Sequence, residues 1–221
     1  MALLYVAGIS ISENIKDIPE KTLNIIKNSN IAIGEERKVA NKLLQVAGSS
    51  AELFLINEHT EDNTRYEILE KVKNTNMAVL FSDAGTPCIS DPDYKFISMC
   101  KKNGIKVLSL PGASSITSAI SVSGIEAKTF YFAGFPPRDN IKRRKFFEDI
   151  SKNKVTTVFM ERPYALSSTI KDMAFINKKI SLSLNLGCEN EENYYDFPKN
   201  LIKYVENKKA PFVVVIGNHK K

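Results

Sequence analysis

The sequence has no tryptophan, two histidines and three cysteines, and these scarcities exclude several kinds of site. His59 and His219 are too far apart for a histidine-rich metal site. Cys88, Cys100 and Cys188 are an odd number at unrelated spacings, which fits neither a disulfide framework nor a zinc site. We therefore expect a reducing, cytoplasmic setting.

Long apolar runs are also missing. No stretch of about 18 apolar residues is present, so the sequence predicts no membrane-spanning helix. Residues 1–9 are apolar but carry no basic segment, and we interpret them as a first strand and not as a signal peptide. The G-x-G-x-x-G and G-x-x-x-x-G-K-[ST] motifs are missing too, which argues against a Rossmann dehydrogenase and a P-loop NTPase.

The remaining composition is that of a soluble globular protein, with 43% hydrophobic and 25% charged residues. A chain of 221 residues is long enough for one large domain or two small ones. The net charge of +6 suggests an anionic partner, although a lysine-rich composition also follows from the codon bias of a genome.

Strand-like and helix-like runs alternate through the first half of the chain, which predicts a mainly parallel sheet with helices on its faces. The predicted strands are residues 3–6, 31–33, 52–56, 78–81 and 106–110. The predicted helices are residues 19–27, 36–46, 64–74 and 94–103.

The pattern changes at Pro111-Gly112-Ala113-Ser114-Ser115, after which a helix is predicted at 116–122. Further strands are predicted at 129–133, 156–160, 180–186 and 211–216, helices at 141–150 and 164–177, and an acidic loop at 189–195. We therefore predict an α/β protein with two domains, residues 1–112 and 113–221.

The most informative segment is Ser82-Asp83-Ala84-Gly85-Thr86-Pro87, which directly follows a predicted buried strand. Glycine permits close backbone approach, and proline fixes the shape of a loop. Ligands of open α/β sheets bind at the carboxyl ends of strands, where this segment is predicted to lie. Taken alone, the segment is equally well interpreted as a rigid turn that binds nothing.

Three other strand ends have the same plan, in which small or special residues follow the strand. They are Gly112-Ala113-Ser114-Ser115, Gly134-Phe135-Pro136-Pro137 and Glu161-Arg162-Pro163. If these loops converge, they form a cleft lined by backbone amides, carbonyls and small hydroxyls. Such a cleft suits a flat, polar cofactor.

Together these motifs closely resemble the tetrapyrrole-methylase superfamily, and within it the RsmI-like branch of ribosomal RNA small subunit methyltransferases. The resemblance runs in order from about residue 3 to residue 217. It is carried by Glu35-Glu36-Arg37-Lys38, Ser82-Asp83-Ala84-Gly85-Thr86-Pro87, Ile89-Ser90-Asp91-Pro92, Leu110-Pro111-Gly112-Ala113-Ser114-Ser115, Phe132-Ala133-Gly134-Phe135-Pro136-Pro137-Arg138, Lys142-Arg143-Arg144-Lys145 and Phe159-Met160-Glu161-Arg162-Pro163-Tyr164.

The resemblance implies the two-domain fold of class III methyltransferases, with S-adenosylmethionine in the cleft between the domains. It also implies a homodimer and no metal, and the branch methylates a ribose 2′-hydroxyl of cytidine in small-subunit ribosomal RNA. By position, the residues that would border the cofactor are Asp83, Ala84, Gly85, Thr86, Pro87, Ile89, Ser114, Ser115, Met160, Pro211 and Phe212.

Two carboxylates are candidate catalytic groups. A ribose hydroxyl is a poor nucleophile, and a nearby carboxylate could accept its proton late in the reaction. Glu36 and Glu161 both follow predicted strands on the side expected for the cleft. The alternative for Glu36 is that it caps its helix and pairs with Arg37 or Lys38.

The basic segment, which we define as Lys142-Arg143-Arg144-Lys145, is the best nucleic-acid feature, with Arg138 just upstream. Four consecutive cations cannot share one helix face, so some must point at a partner or at water. We predict that these five residues bind RNA phosphates, and the alternative is a solvated basic face.

The chain departs from the branch in several places, one of which is Asp93 in place of the usual glycine after Asp-Pro. Gly8-Ile9-Ser10-Ile11-Ser12-Glu13-Asn14 replaces the usual Thr-Pro-Ile-Gly-Asn-Leu, and Glu35-Glu36-Arg37-Lys38 replaces Glu-Asp-Thr-Arg. We predict a ribosomal RNA methyltransferase, and two alternatives stay open. One is a methyltransferase of this fold with a tetrapyrrole or another non-RNA acceptor, and the other is a non-catalytic module that binds RNA or the ribosome.

Overall fold

Residues 2–12, 14–91 and 93–218 are described by this computed structural model. Glu13, Pro92 and His219, which the sequence analysis named, lie outside the described residues. The chain divides into a first unit that ends at Ser114 and a second unit that begins at Ser115. The boundary predicted from the sequence lies two residues earlier.

The first unit has one parallel sheet, with strand order β3-β2-β4-β1-β5. Its strands are β1 Leu3–Ala7, β2 Ile31–Gly34, β3 Glu52–Leu55, β4 Met77–Leu80 and β5 Lys106–Leu110. Its helices are α1 Glu20–Asn28, α2 Arg37–Ala47, α3 Asp62–Lys73 and α4 Tyr94–Lys102. The parallel sheet and its element order are as the sequence predicted, with small differences at the ends of the elements.

Both faces of this sheet are buried, which explains why the inner strands β2 and β4 are apolar throughout and do not alternate. The exposed Glu52, Lys106 and Ser109 belong to the edge strands β3 and β5. In β2, Ile31 and Ile33 face one core, while Ala32 faces the other. Helices α3 and α4 cover the first face, and α1 and α2 cover the second. Because the strands are parallel, all five carboxyl ends lie along one edge of the sheet, which is called the carboxyl edge below.

The second unit has a mixed sheet with strand order β6-β7-β10-β8-β9. Its strands are β6 Phe130–Phe132, β7 Thr156–Glu161, β8 Ile180–Leu184, β9 Glu192–Asp196 and β10 Phe212–Ile216. Its helices are α5 Ser115–Val122, α6 Asn140–Lys152, α7 Leu166–Asp172 and α8 Pro198–Val205. Only β6 and β7 pair in parallel, and the other neighbours are antiparallel.

Two elements of this unit were not predicted. The expected acidic loop at 189–195 is wrong in its second half, because Tyr194 and Tyr195 belong to β9, and α8 was not anticipated. Tyr194 pairs with Leu182 across the sheet, and its ring stacks on Tyr204 of α8 with the centroids 5.3 Å apart. These contacts give an acidic segment a strand conformation that its local composition does not favour.

The core of the second unit orients one side of α6. Phe147 is fully buried, and its ring packs edge-to-face on Phe146 and Phe159. Residues four apart lie on the same helix face, so Arg143 is carried toward the interior with Phe147. Within the described part of the chain, no helix is long and apolar enough to cross a bilayer.

Candidate functional site

The loops that follow β1, β4 and β5 meet at the carboxyl edge of the first sheet. Ile9 donates a backbone hydrogen bond to Gly85 O at 2.9 Å, and Gly85 N donates to Ser10 O at 3.1 Å. Thr86 Oγ1 donates to Ala113 O at 3.0 Å. The segment with the most informative sequence is therefore held between two other loops, and the three strand ends are joined by hydrogen bonds.

Two glycines bring these loops together. A Cβ on Gly112 would lie 2.2 Å from Gly8 O, which is closer than any side chain tolerates. Gly85 is buried and has a φ of +74°, a left-handed conformation that glycine adopts without strain. At this edge the loops consequently pack main chain against main chain, and a Cβ on Gly8 or Gly112 would collide with the other loop.

The same loop continues through strained backbone. Cys88 and Ser90 have φ values of 69° and 68°, although neither is glycine. Non-glycine residues in this conformation cost free energy and concentrate at ligand sites. Of the predicted cofactor-binding residues here, Ala84 is exposed, Pro87 is buried and Ile89 lies half-buried between the two strained residues.

The end of β2 joins this edge through Asp83. The Oδ1 of Asp83 accepts a hydrogen bond from Glu36 N at 3.0 Å. Glu36 is exposed and stands at the N-terminus of α2, but its side chain makes no capping hydrogen bond. No ion pair to Arg37 or Lys38 occurs among the described residues. The alternative in which Glu36 caps its helix and pairs with these cations is therefore wrong.

Glu35 is a candidate that the sequence analysis missed. It is half-buried, and burial is the main cause that raises the pKa of its carboxyl, with Asp91 and Asp83 raising it further. Burial also raises the pKa of Asp91 and of Asp83. Its position in the sequence could have identified it, since Glu35 directly follows a predicted buried strand, as the segment with Asp83 does.

Asp93 is the most buried carboxyl of this group, with 3% of the residue exposed. Burial, followed by the charges of Glu35 and Asp91, raises its pKa to about 7, while Arg65 acts in the opposite direction. Arg65 is itself buried, and its guanidinium donates to the carbonyls of Asn57 and Thr60. Among the described residues, no group of three or more His, Cys, Asp or Glu side chains could hold a metal ion.

A second set of predicted cofactor-binding residues lies together at one end of the second sheet. Ser115 Oγ is 3.3 Å from the Sδ of Met160, the residue that pairs with Val213 in the neighbouring strand. Phe212 is opposite Glu161, and Pro211 directly precedes it. Ser114 is the last residue of the first unit and is half-buried.

Glu161 is a buried carboxylate with several donors, and its side chain is 2% exposed. Arg143 Nη1 lies 2.6 Å from Glu161 Oε2. Glu161 Oε1 accepts from Arg162 N at 2.9 Å and from Arg162 Nη1 at 3.3 Å. Arg143 is also bonded through Nε to Asp172 and through Nη2 to Thr169, each at 2.7 Å.

The structure separates Arg143 from the rest of the basic segment. Lys142, Arg144 and Lys145 are exposed, as is Arg138 upstream, whereas the Arg143 side chain is only 14% exposed. Of the five cations predicted to bind RNA, Arg143 therefore has the fewest N–H groups left to donate to a phosphate. Its pairing with Glu161 had no signal in the local sequence, because the partners are 18 residues apart.

Known proteins resemble this chain over most of its length. The family model for Tetrapyrrole (Corrin/Porphyrin) Methylases matches residues 4–196. The curated ribosomal RNA small subunit methyltransferase I of Haemophilus influenzae is 32% identical over 77% of this chain and 60% of that protein. The protein of the same name from Thermotoga maritima is 30% identical over 95% of this chain and 94% of that protein. The chain spans about three fifths of the length of several other curated relatives.

Solved structures share the fold at low sequence identity. Diphthine synthase has a TM-score of 0.76 at 15% identity, covering 97% of this chain and 89% of that chain. Uroporphyrin-III-C-methyltransferase from Thermus thermophilus has a TM-score of 0.65 at 15% identity, covering 98% of this chain and 94% of that chain. At this identity the likeness shows the fold alone.

A parallel sheet, a mixed sheet and glycine-lined loops at strand ends define an α/β protein with the fold of class III methyltransferases. The chain belongs to the tetrapyrrole (corrin/porphyrin) methylase family. The fold class and family predicted from the motifs are thereby confirmed. Resemblance to the ribosomal RNA branch is confirmed too, since the relatives above carry that name.

Proposed function

We propose that this protein is an S-adenosylmethionine-dependent methyltransferase that modifies the ribose 2′-hydroxyl of a cytidine in small-subunit ribosomal RNA. The names of its relatives support small-subunit ribosomal RNA as the substrate, while the ribose 2′-hydroxyl of a cytidine is what the resemblance to the branch implies. The observation that carries the proposal is the carboxyl edge of the first unit, where three loops are joined through Gly8, Gly85 and Gly112.

The residues at that edge fit the cofactor, because backbone amides, carbonyls and small side chains recognise a polar ligand without needing bulk. In this proposal the first unit holds it with Asp83, Ala84, Gly85, Thr86, Pro87, Ile89 and Ser114. Ser115, Met160, Pro211 and Phe212 of the second unit are the other residues that the family resemblance implies for cofactor binding. When bound, S-adenosylmethionine supplies an activated methyl group on its sulfonium.

Glu36 is our candidate proton acceptor. Its side chain is exposed beside the carboxyl edge and makes no hydrogen bond or ion pair with the described residues. Asp83 holds the Glu36 backbone at 3.0 Å, which limits where the carboxylate can reach. A base without a competing partner can accept the hydroxyl proton as the acceptor oxygen gains its methyl group.

Glu161 was the other catalytic candidate, and we propose that it acts by positioning. Its two oxygens already accept hydrogen bonds from Arg143 and from Arg162. To accept a substrate proton, the carboxylate would have to give up a charge-assisted bond in a buried site. Its proposed role is to orient the two arginines.

RNA binding is proposed for the exposed cations Arg138, Lys142, Arg144 and Lys145. Lys142 lies in the first turn of α6, where Asp139 caps the helix by accepting from Lys142 N at 2.9 Å. Positive charge in the first turn of a helix is unfavourable to the helix, so helix stability does not explain Lys142. An anionic partner does, because phosphates attract such side chains.

Calorimetric titration with S-adenosylmethionine and with S-adenosylhomocysteine tests the cofactor part. We expect micromolar binding, followed by methyl transfer to small ribosomal subunits that lack the modification. Mapping of the product should show a 2′-O-methylated cytidine. Failure to bind either compound would favour a non-catalytic module, whereas cofactor binding with transfer only to a tetrapyrrole would favour the other alternative.

The partners in this proposal are small-subunit ribosomal RNA and a second copy of the chain. The homodimer is implied by family resemblance, and a ribosomal substrate implies action in the cytoplasm. Sedimentation velocity measures the oligomeric state. A monomer at micromolar concentration would contradict the homodimer while leaving the proposed reaction intact.

A further inference from the structure

The partly exposed Arg162 guanidinium contacts the buried carboxylate of Glu161. Its Nη1 lies 3.3 Å from Glu161 Oε1, and its own backbone N–H donates to the same oxygen at 2.9 Å. The Arg162 side chain is 34% exposed, whereas that of Glu161 is 2% exposed. The guanidinium is therefore positioned before any ligand arrives, and little side-chain entropy remains to be lost on binding.

The ring of Phe135 lies beneath this guanidinium. Arg162 Cζ is 5.8 Å from the Phe135 ring centroid, and Phe135 is 40% exposed. The loop that carries the ring is fixed to β7, because Met160 N donates to Gly134 O at 3.0 Å. Gly134 has a φ of 74°, and Pro136, the residue after the ring, is buried. Both members of the pair are thus held by the frame of the second unit.

The charges of this network cancel. Arg143 and Arg162 are cations, while Glu161 and Asp172 are carboxylates that pair with them. A neutralised guanidinium attracts a phosphate less strongly than the free cations of the basic segment do. What it still offers is a flat surface, and unpaired bases stack on aromatic rings and on guanidinium planes alike.

We infer that Arg162 and Phe135 form a stacking site for an unpaired base of single-stranded RNA. The inference rests on the proposed function and gives Phe135 and Arg162, which both lie in the family motifs, a role that the motifs alone did not assign. Among the described residues, none accepts a hydrogen bond from Arg162 Nε or Nη2, so these donors remain available to the edge of a base or its sugar. In this inference the pair contacts an unpaired base, while the exposed cations Arg138, Lys142, Arg144 and Lys145 bind the RNA backbone.

Substitutions that separate shape from charge test this site. Phe135→Leu keeps apolar bulk without an aromatic face, and Arg162→Lys keeps the charge without the plane. We expect each to weaken binding of a short unstructured RNA by roughly 5- to 100-fold. The slope of log affinity on log salt should not change, because no phosphate contact is removed. Lys142→Ala should instead make that negative slope shallower by about 0.7, because one phosphate contact is lost.

The chain offers a matched control. Lys179 Nζ lies 5.5 Å from the ring of Tyr195, which is 56% exposed, and this pair belongs to the opposite end of the strands of the same sheet. Lys179→Ala should leave RNA affinity and its salt slope unchanged. Calorimetry with S-adenosylmethionine should give parent-like affinity for Phe135→Leu and Arg162→Lys, which shows that both variants are folded.

The outcomes separate this inference from the proposed function. Parent-like RNA affinity in both variants would mean that the pair only fixes the loop, and the inference would fail while the function stands. Retained affinity in Arg162→Lys with loss and a lower salt slope in Arg162→Ala would indicate a phosphate contact and also overturn stacking. If the unaltered chain binds no RNA, the RNA part of the proposed function fails as well.

Discussion

Arg143 Nη1 lies 2.6 Å from Glu161 Oε2, and this ion pair joins α6 to the end of β7 inside the second unit. The guanidinium also lies 5.1 Å from the centroid of the Phe147 ring on the same face of the helix. One arginine of a four-cation run is therefore part of the fold, while its neighbours face solvent. The four residues of the basic segment all carry a positive charge, but their chemical roles differ.

Removing Arg143 should destabilise the protein. Arg143→Ala leaves Glu161 buried without its shortest ion pair, and we expect the free energy of unfolding to fall by about 3 kcal/mol. Arg144→Ala is the control, because that side chain is 83% exposed and, among the described residues, pairs with Glu148 alone at 3.1 Å. Its expected cost is below about 1 kcal/mol. Urea denaturation measures both, and equal costs would contradict the structural role.

A side chain at Gly85 should strongly weaken cofactor binding. A Cβ on Gly85 would lie 3.2 Å from Ile11 Cγ2, and its φ of +74° adds strain for any other residue. We expect Gly85→Val to weaken S-adenosylmethionine binding by roughly 10- to 100-fold or more. Calorimetric titration gives the affinity.

Gly104 is the matched control for that substitution. Its φ is +73°, nearly that of Gly85, but a Cβ there would meet no atom within 4 Å, and it belongs to the turn between α4 and β5. Gly104→Val therefore carries the backbone strain without entering the site. Equal loss of affinity in the two variants would assign the effect to stability and would move the cofactor elsewhere.

Replacing Asp93 should stabilise the protein in a pH-dependent way. Its pKa is raised from 3.8 to about 7, chiefly by burial and then by Glu35, Asp91 and Asp83, against the opposing charge of Arg65. At pH values between these two pKa values, the Asp93 carboxyl keeps its proton in the folded state and has lost it in the unfolded chain. Stability is therefore lost as pH rises between 3.8 and about 7, and it stays lowered above that window.

The amide of Asp93→Asn cannot ionise. The variant should therefore be more stable than the parent only at pH values at which the charged Asp93 carboxylate destabilises the folded parent. We expect a gain of roughly 1–3 kcal/mol near neutral pH, and little difference below the unfolded pKa. Thermal melts across that range measure the difference. Asp149→Asn, an exposed site in the second unit, should show no such trend. A gain that is independent of pH would indicate a packing effect and contradict the linkage.

Neutralising Glu36 should slow methyl transfer without affecting cofactor affinity. For Glu36→Gln we expect kcat to fall by roughly 100- to 10,000-fold, as for loss of a general base. Glu61→Gln is the control, since Glu61 is exposed and stands at the N-terminus of α3 without a side-chain cap, as Glu36 does for α2. Single-turnover rates provide the readout. An unchanged rate would direct attention to Glu35, which lies beside it.

The elements of the first unit were predictable because each is encoded locally. Apolar runs such as Met77–Leu80 are followed by loop-forming residues, and parallel strands need helical crossovers between them. In the second unit β9 escaped prediction, because Glu192 and its polar neighbours become a strand only by pairing with β8. Edge pairing is a tertiary contact that composition does not reveal.

The candidate site was predictable in part. Gly85 and Gly112 stood out because glycine and proline directly after a strand mark close backbone approach. Glu35 did not, since adjacent glutamates look alike in sequence, and only burial distinguishes it from the exposed Glu36. Gly8 was noticed only as a departure from the family pattern, although its carbonyl lies against Gly112.

By itself, the sequence determined the family, the order of strands and helices in the first unit, and the loops that end at its carboxyl edge. These follow from periodicity and from the conformational limits of glycine and proline, which act over a few residues. Only the tertiary structure decided that Arg143 is paired and Lys142 exposed, and that Arg162 lies over Phe135. Burial and ion pairing depend on distance in space, which residue spacing along the chain does not specify.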